Sequence, residues 1–286
     1  MENSIYWIWL SILNFTPNQK QIIIRTLGHP EKIFSLNEND LKKVTNSNDT
    51  IQKILNKEKR KTAEKIFEES IKRNIKCLTT DTSEYPDSFK NIYNPPLVLY
   101  TKGNSEKLKN KNKIAIVGSR KCSEYGKTVT QKLSYQLAQK NYTIISGMAS
   151  GIDSYAHIGA ILAKGTTIAV LGSGVEYPYP EENKTLYKRI LETDGLIISE
   201  YPLNTKPVPE NFPMRNRIIS GLSDKVLITE AGMKSGSIIT ANLAMEQGKD
   251  VYAIPGNIMY KQSEGTNQLI KEGAFLATGL EDIINI

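Results

Sequence analysis

Five short turns rich in glycine and serine carry the residues of this chain whose types and spacing suit chemistry. They are Gly118-Ser119-Arg120, Ser146-Gly147-Met148-Ala149-Ser150-Gly151, Gly172-Ser173-Gly174, the run from Gly232 to Ser237, and Pro255-Gly256-Asn257. Glycine lets main-chain N–H groups approach an anion, and a helix that follows adds unbonded N–H groups and the positive end of its dipole. Ser119, Ser146, Ser235, Ser237 and Thr240 can donate further hydrogen bonds to phosphate oxygens. Arg120 lies in the first turn, and Arg215 and Arg217 open the segment after Phe212-Pro213-Met214. A guanidinium fork matches the oxygens of a phosphate. Two arginines at i and i+2 of a helix do not face the same way. One is therefore expected at the ligand and the other in a pair within the fold, with Glu200 or Glu230 as the available acids. Phe212, Tyr177, Tyr179 and Tyr201 stand in the same loops. Aromatic faces beside arginines are what stacked bases need, although a loop aromatic packs equally well on a core. Lys184, Lys206 and Lys234 add loop cations, any of which can simply be solvated.

What is missing narrows the anion. No G-x-G-x-x-G opens the first helix with a ribose-binding acid after the second strand, which argues against an ordinary dinucleotide site. Gly126-Lys127-Thr128 resembles the tail of a phosphate-binding P-loop, but Lys121 stands where that loop requires its first glycine. Catalytic groups are thin. His29 falls in the helical part, at the surface. Asp153 and His157 sit four apart on a helix with no third metal ligand in view, so a helix-capping carboxylate beside a packed histidine is the simpler reading. Glu200 and Glu230 end strands at the same edge and are expected to orient arginines. No catalytic residue, metal site or cofactor is assigned.

These turns need elements to hold them. From Ile114 the pattern is strand, glycine-rich turn, helix, repeated, with strands at 114–117, 143–146, 167–171, 196–199, 226–229 and 251–254. The strands are short, β-branched and apolar on both sides, as parallel strands covered on both faces are. Right-handed crossovers through helical patterns then give a doubly wound α/β sheet whose turns emerge on one edge. Residues 1–75 read as a small helical domain, with Asp40 placed to cap a helix and Thr50 to Arg73 as one long amphipathic stretch. Residues 76–113 read as an extended connector, with a strand at Leu97-Val98-Leu99-Tyr100 and a Lys-rich linker from Asn104 to Lys113. Residues 114–286 form the sheet domain.

The 286 residues carry a net charge of +7, unevenly placed. Residues 1–113 hold 20 Lys/Arg against 13 Asp/Glu, and residues 114–286 hold 17 of each. The excess suits a polyanion partner or a lysine-rich solvated surface. A balanced sheet domain that binds nucleic acid must separate its charges by face. The apolar run Ile5 to Phe15 is too short to span a bilayer and lacks the frame of a signal peptide. The two cysteines, Cys77 and Cys122, have no metal spacing and read as reduced thiols of the cytoplasm.

The order of these strings resembles the DNA-processing protein A family (DprA, also called Smf). Ile116-Val117-Gly118-Ser119-Arg120 with Tyr125-Gly126 comes first, followed by Ser146-Gly147, Ala149 and Gly151-Ile152-Asp153. Thr167 to Gly174 with Tyr177-Pro178 and Tyr179-Pro180 come next, then Ser199-Glu200-Tyr201-Pro202 and Phe212-Pro213 with Arg215-Asn216-Arg217. Glu230-Ala231, Ser235-Gly236-Ser237, Thr240-Ala241 and Pro255-Gly256 complete a match over about residues 114–276. The resemblance implies an extended Rossmann-like fold, preceded by a helical SAM-like domain, that binds single-stranded DNA. It also implies a homodimer that protects incoming strands in natural transformation or recombination and helps load RecA onto them. By the same carry-over, Gly118, Ser119, Arg120, Ser146, Gly147, Gly172, Gly174, Arg215, Arg217, Ser235, Gly236, Ser237 and Thr240 line a phosphate-binding pocket, with Phe212, Tyr177, Lys184 and Lys206 as stacking or loop contacts. Ile286 directly follows the sheet domain, so the winged-helix tail of some members is expected to be missing. Two other readings compete. A related nucleotide phosphoribohydrolase carries acids after this glycine turn, where this chain has Gly236-Ser237-Ile238-Ile239. A nucleotide-sensing module would bind a mononucleotide instead.

Overall fold

The computed structural model describes residues 3–285, so residues 1, 2 and 286 of the expected domains lie outside the described residues. The chain divides into two compact units: Met1–Tyr85 with Pro96–Leu99, and Pro86–Pro95 with Tyr100–Ile286. Residues 76–113 thus contribute to both.

In the first unit, six helices follow one another: α1 (Ser4–Ile12), α2 (Pro17–Leu27), α3 (Pro30–Ser35), α4 (Glu38–Lys42), α5 (Asn48–Ile54) and α6 (Lys57–Lys72). Trp7, Ile8, Trp9 and Leu10 of α1 are buried. Two sequence expectations are corrected here. Asp40 does not begin a helix as its cap. Asn37 does, and Asp40 is the returning half of the capping box, its carboxylate accepting from the Asn37 N–H. The stretch from Thr50 to Arg73 is two helices, because the Asn56 side chain accepts from Lys59 N at 3.0 Å and starts a new one. A short strand, β1 (Lys76–Thr79), closes this part of the chain and has no counterpart in the sequence reading.

β2 (Val98–Gly103) leads into the second unit, where the strands are β3 (Lys113–Val117), β4 (Thr143–Ser146), β5 (Thr167–Leu171), β6 (Leu196–Ser199), β7 (Lys225–Ile228), β8 (Asp250–Ala253) and β9 (Phe275–Leu276). The helices between and after them are α7 (Glu124–Gln139), α8 (Ile152–Leu162), α9 (Lys184–Glu192), α10 (Asn211–Leu222), α11 (Gly236–Glu246), α12 (Glu264–Lys271) and α13 (Leu280–Ile284). The expected linker at 104–113 holds a 3₁₀ turn, Ser105–Lys109, whose Ser105 and Leu108 are buried.

From β2 onward the strand order is β2-β6-β5-β4-β3-β7-β8-β9, parallel except where β2 meets β6. From β3 the chain winds outward through β4, β5 and β6. It then returns through α10 to lay β7 on the other side of β3. β3 is therefore the switch point, and a doubly wound sheet opens a crevice there, beyond the carboxyl ends of its strands. The fold is α/β and Rossmann-like. The core that anchors the crevice joins Ile114 and Ile116 of β3 and Ile144 of β4 to Leu133 and Leu137 of α7 and Ile152, Ala156 and Ala160 of α8. Among the described residues, no helix is long and apolar enough to cross a membrane.

Candidate nucleic-acid interface

A cleft of about 810 Å³ lies at the switch point. The turn after β3 supplies Gly118, Ser119, Arg120 and Lys121; the start of α10 supplies Phe212, Arg215 and Asn216. The turn after β7 and the first residues of α11 supply Lys234, Ser235, Gly236, Ser237, Ile239 and Thr240. Lys261 and Gln262 close it from the loop after β8, and Tyr179 and Asp153 also line it.

The turn after β3 is braced rather than loose. Ser119 N donates to Glu230 O at 2.7 Å, and Ile152 N donates to Ser119 O at 3.1 Å. Gly118 is glycine because a Cβ there would lie 2.6 Å from Ile152 and 2.7 Å from the Glu230 carbonyl. The loop thus presents Arg120 at a fixed place. Its guanidinium is exposed, lies 5.6 Å from the centre of the Phe212 ring, and joins no ion pair among the described residues. Lys121, Lys234 and Lys261 are likewise exposed and unpaired among the described residues. The single carboxylate among the described lining residues is Asp153. It accepts from Gly147 N at 3.0 Å and from Ala149 N at 3.4 Å, so it holds the turn after β4 instead of capping α8.

Arg215 forms the floor. It is buried, with Nη1 donating to Gly147 O at 2.7 Å and to Val170 O. Nη2 has no hydrogen-bond partner among the described residues. Burial brings its pKa down to about 10, against the pull of Asp153, so it stays charged at neutral pH. Burial also pushes the Asp153 carboxyl up, and Arg215 opposes that. The second wall is the start of α11. The Gly236 N–H has no partner among the described residues, and the Ser235 and Ser237 hydroxyls lie 2.7 Å apart. An unbonded amide, two hydroxyls and a helix N-terminus together fit one phosphate group. Phe212, half-buried, lies 5.5 Å from the Tyr179 ring and 5.9 Å from Arg215, which gives the cleft an aromatic face between cations.

The structure therefore brings together Gly118, Ser119, Arg120, Arg215, Ser235, Gly236, Ser237, Thr240 and Phe212. It does not bring in the rest. Ser146 is fully buried, its hydroxyl donating to Ile116 O at 2.7 Å. Gly147 has its N–H on Asp153, and a Cβ there would strike the Arg215 guanidinium. Gly172 supports the Phe212 ring from below, and Gly174 packs against the Leu203 carbonyl with its own N–H on Thr205 O at 2.9 Å. Arg217 is buried and bound to Glu200 at 2.6 Å. Tyr177 and Lys206 are exposed and do not line the cleft, and Lys184 pairs with Glu181. The Ser119 amide faces Glu230 O instead of the cleft.

The candidate acids and bases are engaged too. Glu230 accepts from Ser123 N at 2.9 Å and from its hydroxyl, so it anchors Ser123, the residue that caps α7, and touches no arginine among the described residues. His157 is buried, its Nδ1 2.7 Å from Thr167 Oγ1, and burial drops its pKa to about 3. His29 is half-buried against Asp81 and Trp7 rather than on the open surface. Among the described residues no group of three His, Cys, Asp or Glu is placed to hold a metal ion. The cleft residues that sequence reasoning passed over are Lys121, Asn216, Lys261 and Gln262. Lys121 directly follows Arg120 in a flagged turn, and that adjacency was the available signal.

A doubly wound sheet with exposed, unpaired cations among the described residues lining the cleft at its switch point defines a Rossmann-like protein with an open cationic crevice. Comparison with known proteins narrows the class. A family model described as DNA recombination-mediator protein A matches residues 76–286. The DNA processing protein DprA of Bacillus subtilis (strain 168) is 43% identical over 209 residues, 73% of this chain and 70% of its own. That of Streptococcus pneumoniae (strain ATCC BAA-255 / R6) is 45% identical over 200 residues, 70% of each chain. The X-ray structure of DprA from Streptococcus pneumoniae superposes with a TM-score of 0.83 at 34% identity, covering 100% of this chain and 97% of that one. A Helicobacter pylori DNA processing protein A, whose structure concerns its single-stranded DNA binding mode, gives a TM-score of 0.66 at 33% identity, with coverage of 74% and 94%. The chain belongs to the DNA recombination-mediator protein A family.

Proposed function

We propose that the cleft grips the sugar–phosphate backbone of single-stranded DNA, and that the chain carries such strands without transforming them. One observation carries this reading: four cations, Arg120, Lys121, Lys234 and Lys261, line the cleft without an ion pair among the described residues. Such groups acquire partners when phosphates arrive and release counterions. The Phe212 ring beside Arg120 suits an unstacked base, which a duplex does not offer. The Helicobacter pylori relative with its single-stranded DNA mode supports the same choice of ligand. Glu200, Glu230 and His157 are each engaged within the fold, which supports a carrier over a catalyst. Following the resemblance of the sequence, the carrier is a cytoplasmic homodimer that protects strands in transformation or recombination and helps load RecA recombinase onto them.

The test is a titration of labelled single- and double-stranded oligonucleotides against the wild-type chain and Arg120→Ala. Single strands bind in preference, and Arg120→Ala weakens every sequence by roughly tenfold, as expected for one charged hydrogen-bonding group. Equal binding by Arg120→Ala, tight binding of a mononucleotide alone, or base release from nucleoside monophosphates would each reject the reading.

A further inference from the structure

Beside the cleft lies a second hollow, of about 750 Å³. Ser123, Glu124 and Tyr125 at the start of α7 form one side, and Asn257, Tyr260 and Gln262 of the loop after β8 form the other. Gln262 lines both spaces, and Lys121 and Lys261 stand in the cleft a few residues from Ser123 and Ser263 in this hollow. The two are therefore contiguous, yet their chemistry differs. No Lys or Arg among the described residues lines the second hollow, while Glu124, 3.4 Å from the Lys127 ammonium, and Glu230, which already accepts from Ser123, do. Carboxylates repel a phosphate. The lone pairs that these contacts leave over can accept from the N–H edge of a nucleobase.

The remaining groups point the same way. Tyr125 and Tyr260 are 53% and 63% exposed, more than buried packing residues would be. The Asn257 side-chain Oδ1 accepts from Met259 N at 2.9 Å, which leaves its side-chain N–H groups to donate. Gln262 is exposed and has no hydrogen-bond partner among the described residues. The loop that holds them is preformed. Gly256 exchanges two hydrogen bonds with the Asn267 side chain, at 3.1 and 3.0 Å, and has no room for a Cβ beside Ser263. Tyr125 Oη donates to Pro255 O at 3.3 Å.

We infer that this hollow is a nucleobase subsite, in which a base of the strand held in the cleft stacks on Tyr125 and Tyr260. It rests on the proposed function, since the cleft supplies the backbone grip. The division of labour is spatial: phosphates meet the four cations, and a base turns into the acidic, aromatic recess next to them.

The experiment compares an oligodeoxythymidylate with its fully abasic counterpart at one fixed salt concentration. Wild type, Arg120→Ala, Tyr125→Ala, Tyr260→Ala and the two Tyr→Phe variants are titrated with each. The expected result is a roughly tenfold loss for each Tyr→Ala variant on the base-bearing strand, within the range for one stacked base. No change is expected on the abasic strand, and the phenylalanine variants retain binding. An equal loss on both strands, or no loss where Arg120→Ala still weakens binding, overturns the subsite and leaves the cleft standing. A wild-type chain that binds neither strand overturns both.

Discussion

Gly151 lies directly beneath the main chain of Arg120: a Cβ on Gly151 would sit 2.5 Å from the Arg120 carbonyl oxygen and 2.4 Å from that of Ser119. Its φ of +75° is also one that side chains rarely adopt. The turn after β4 therefore supports the turn after β3, and the absent side chain sets the height of Arg120. Gly151→Ala is expected to lower stability by about 1–3 kcal/mol, the usual cost of such backbone strain. It should also weaken oligonucleotide binding by displacing Arg120. Urea denaturation read beside a binding titration checks both, and intact affinity in the folded variant would show that Arg120 is held from elsewhere.

The four unpaired cations make a quantitative claim. On a single strand, each phosphate that the protein ceases to neutralise lowers the slope of log affinity against log salt by about 0.7. Alanine at Arg120, Lys121, Lys234 or Lys261 should each flatten that slope by this amount. Lys184→Ala and Lys206→Ala should leave it unchanged, because these residues lie outside the cleft. Titrations between about 50 and about 200 mM salt give the slopes.

Arg215 and Arg217 should separate cleanly. Arg217→Met leaves Glu200 without its partner, at a cost of about 3 kcal/mol, near the lower end for buried pairs because Glu200 keeps 24% of its side chain in water. The affinity of the molecules that remain folded should not change. Arg215→Met removes the cleft floor and releases the Gly147 and Val170 carbonyls, so it should lose stability and binding together. Thermal unfolding and titration at a temperature well below the transition distinguish the two.

His157 predicts an acid sensitivity. In the fold burial lowers its pKa to about 3, whereas an unfolded chain titrates at about 6.5. Between those values the unfolded state binds the extra proton, so stability falls as pH drops from about 6.5 toward about 3. The total is on the order of a few kcal/mol. His157→Gln should flatten this part of the curve relative to wild type, as measured by denaturant midpoints across the window.

The sheet was legible because β-branched strands alternating with glycine turns leave few other arrangements. From β3 to β8 the observed strands lie within one residue of the expected ones, whereas β2 runs three residues beyond the expected end at Tyr100. β1 and β9 escaped notice. The second has only two residues, too few for any period to show. The turns were legible as a set, but their individual roles were not. Nothing in the string Ser146-Gly147 says that the hydroxyl turns down onto Ile116 or that the amide belongs to Asp153. The i, i+2 spacing of Arg215 and Arg217 did say that they diverge, and the structure turns Arg217 to Glu200. Lys261 was hidden by distance, since it reaches the cleft from a loop 140 residues after Lys121, and only the return of the chain to β7 and β8 brings the two together.

Residues 114–286 join an overall balance of charge with a cleft whose only lining carboxylate, among the described residues, already faces an arginine. There the charge is separated by face more than it is summed. The field of the four cleft cations reaches about one Debye length, and it turns the open edge toward a strand that comes that near. Ionic strength should then govern how fast a strand is captured more than how long it stays.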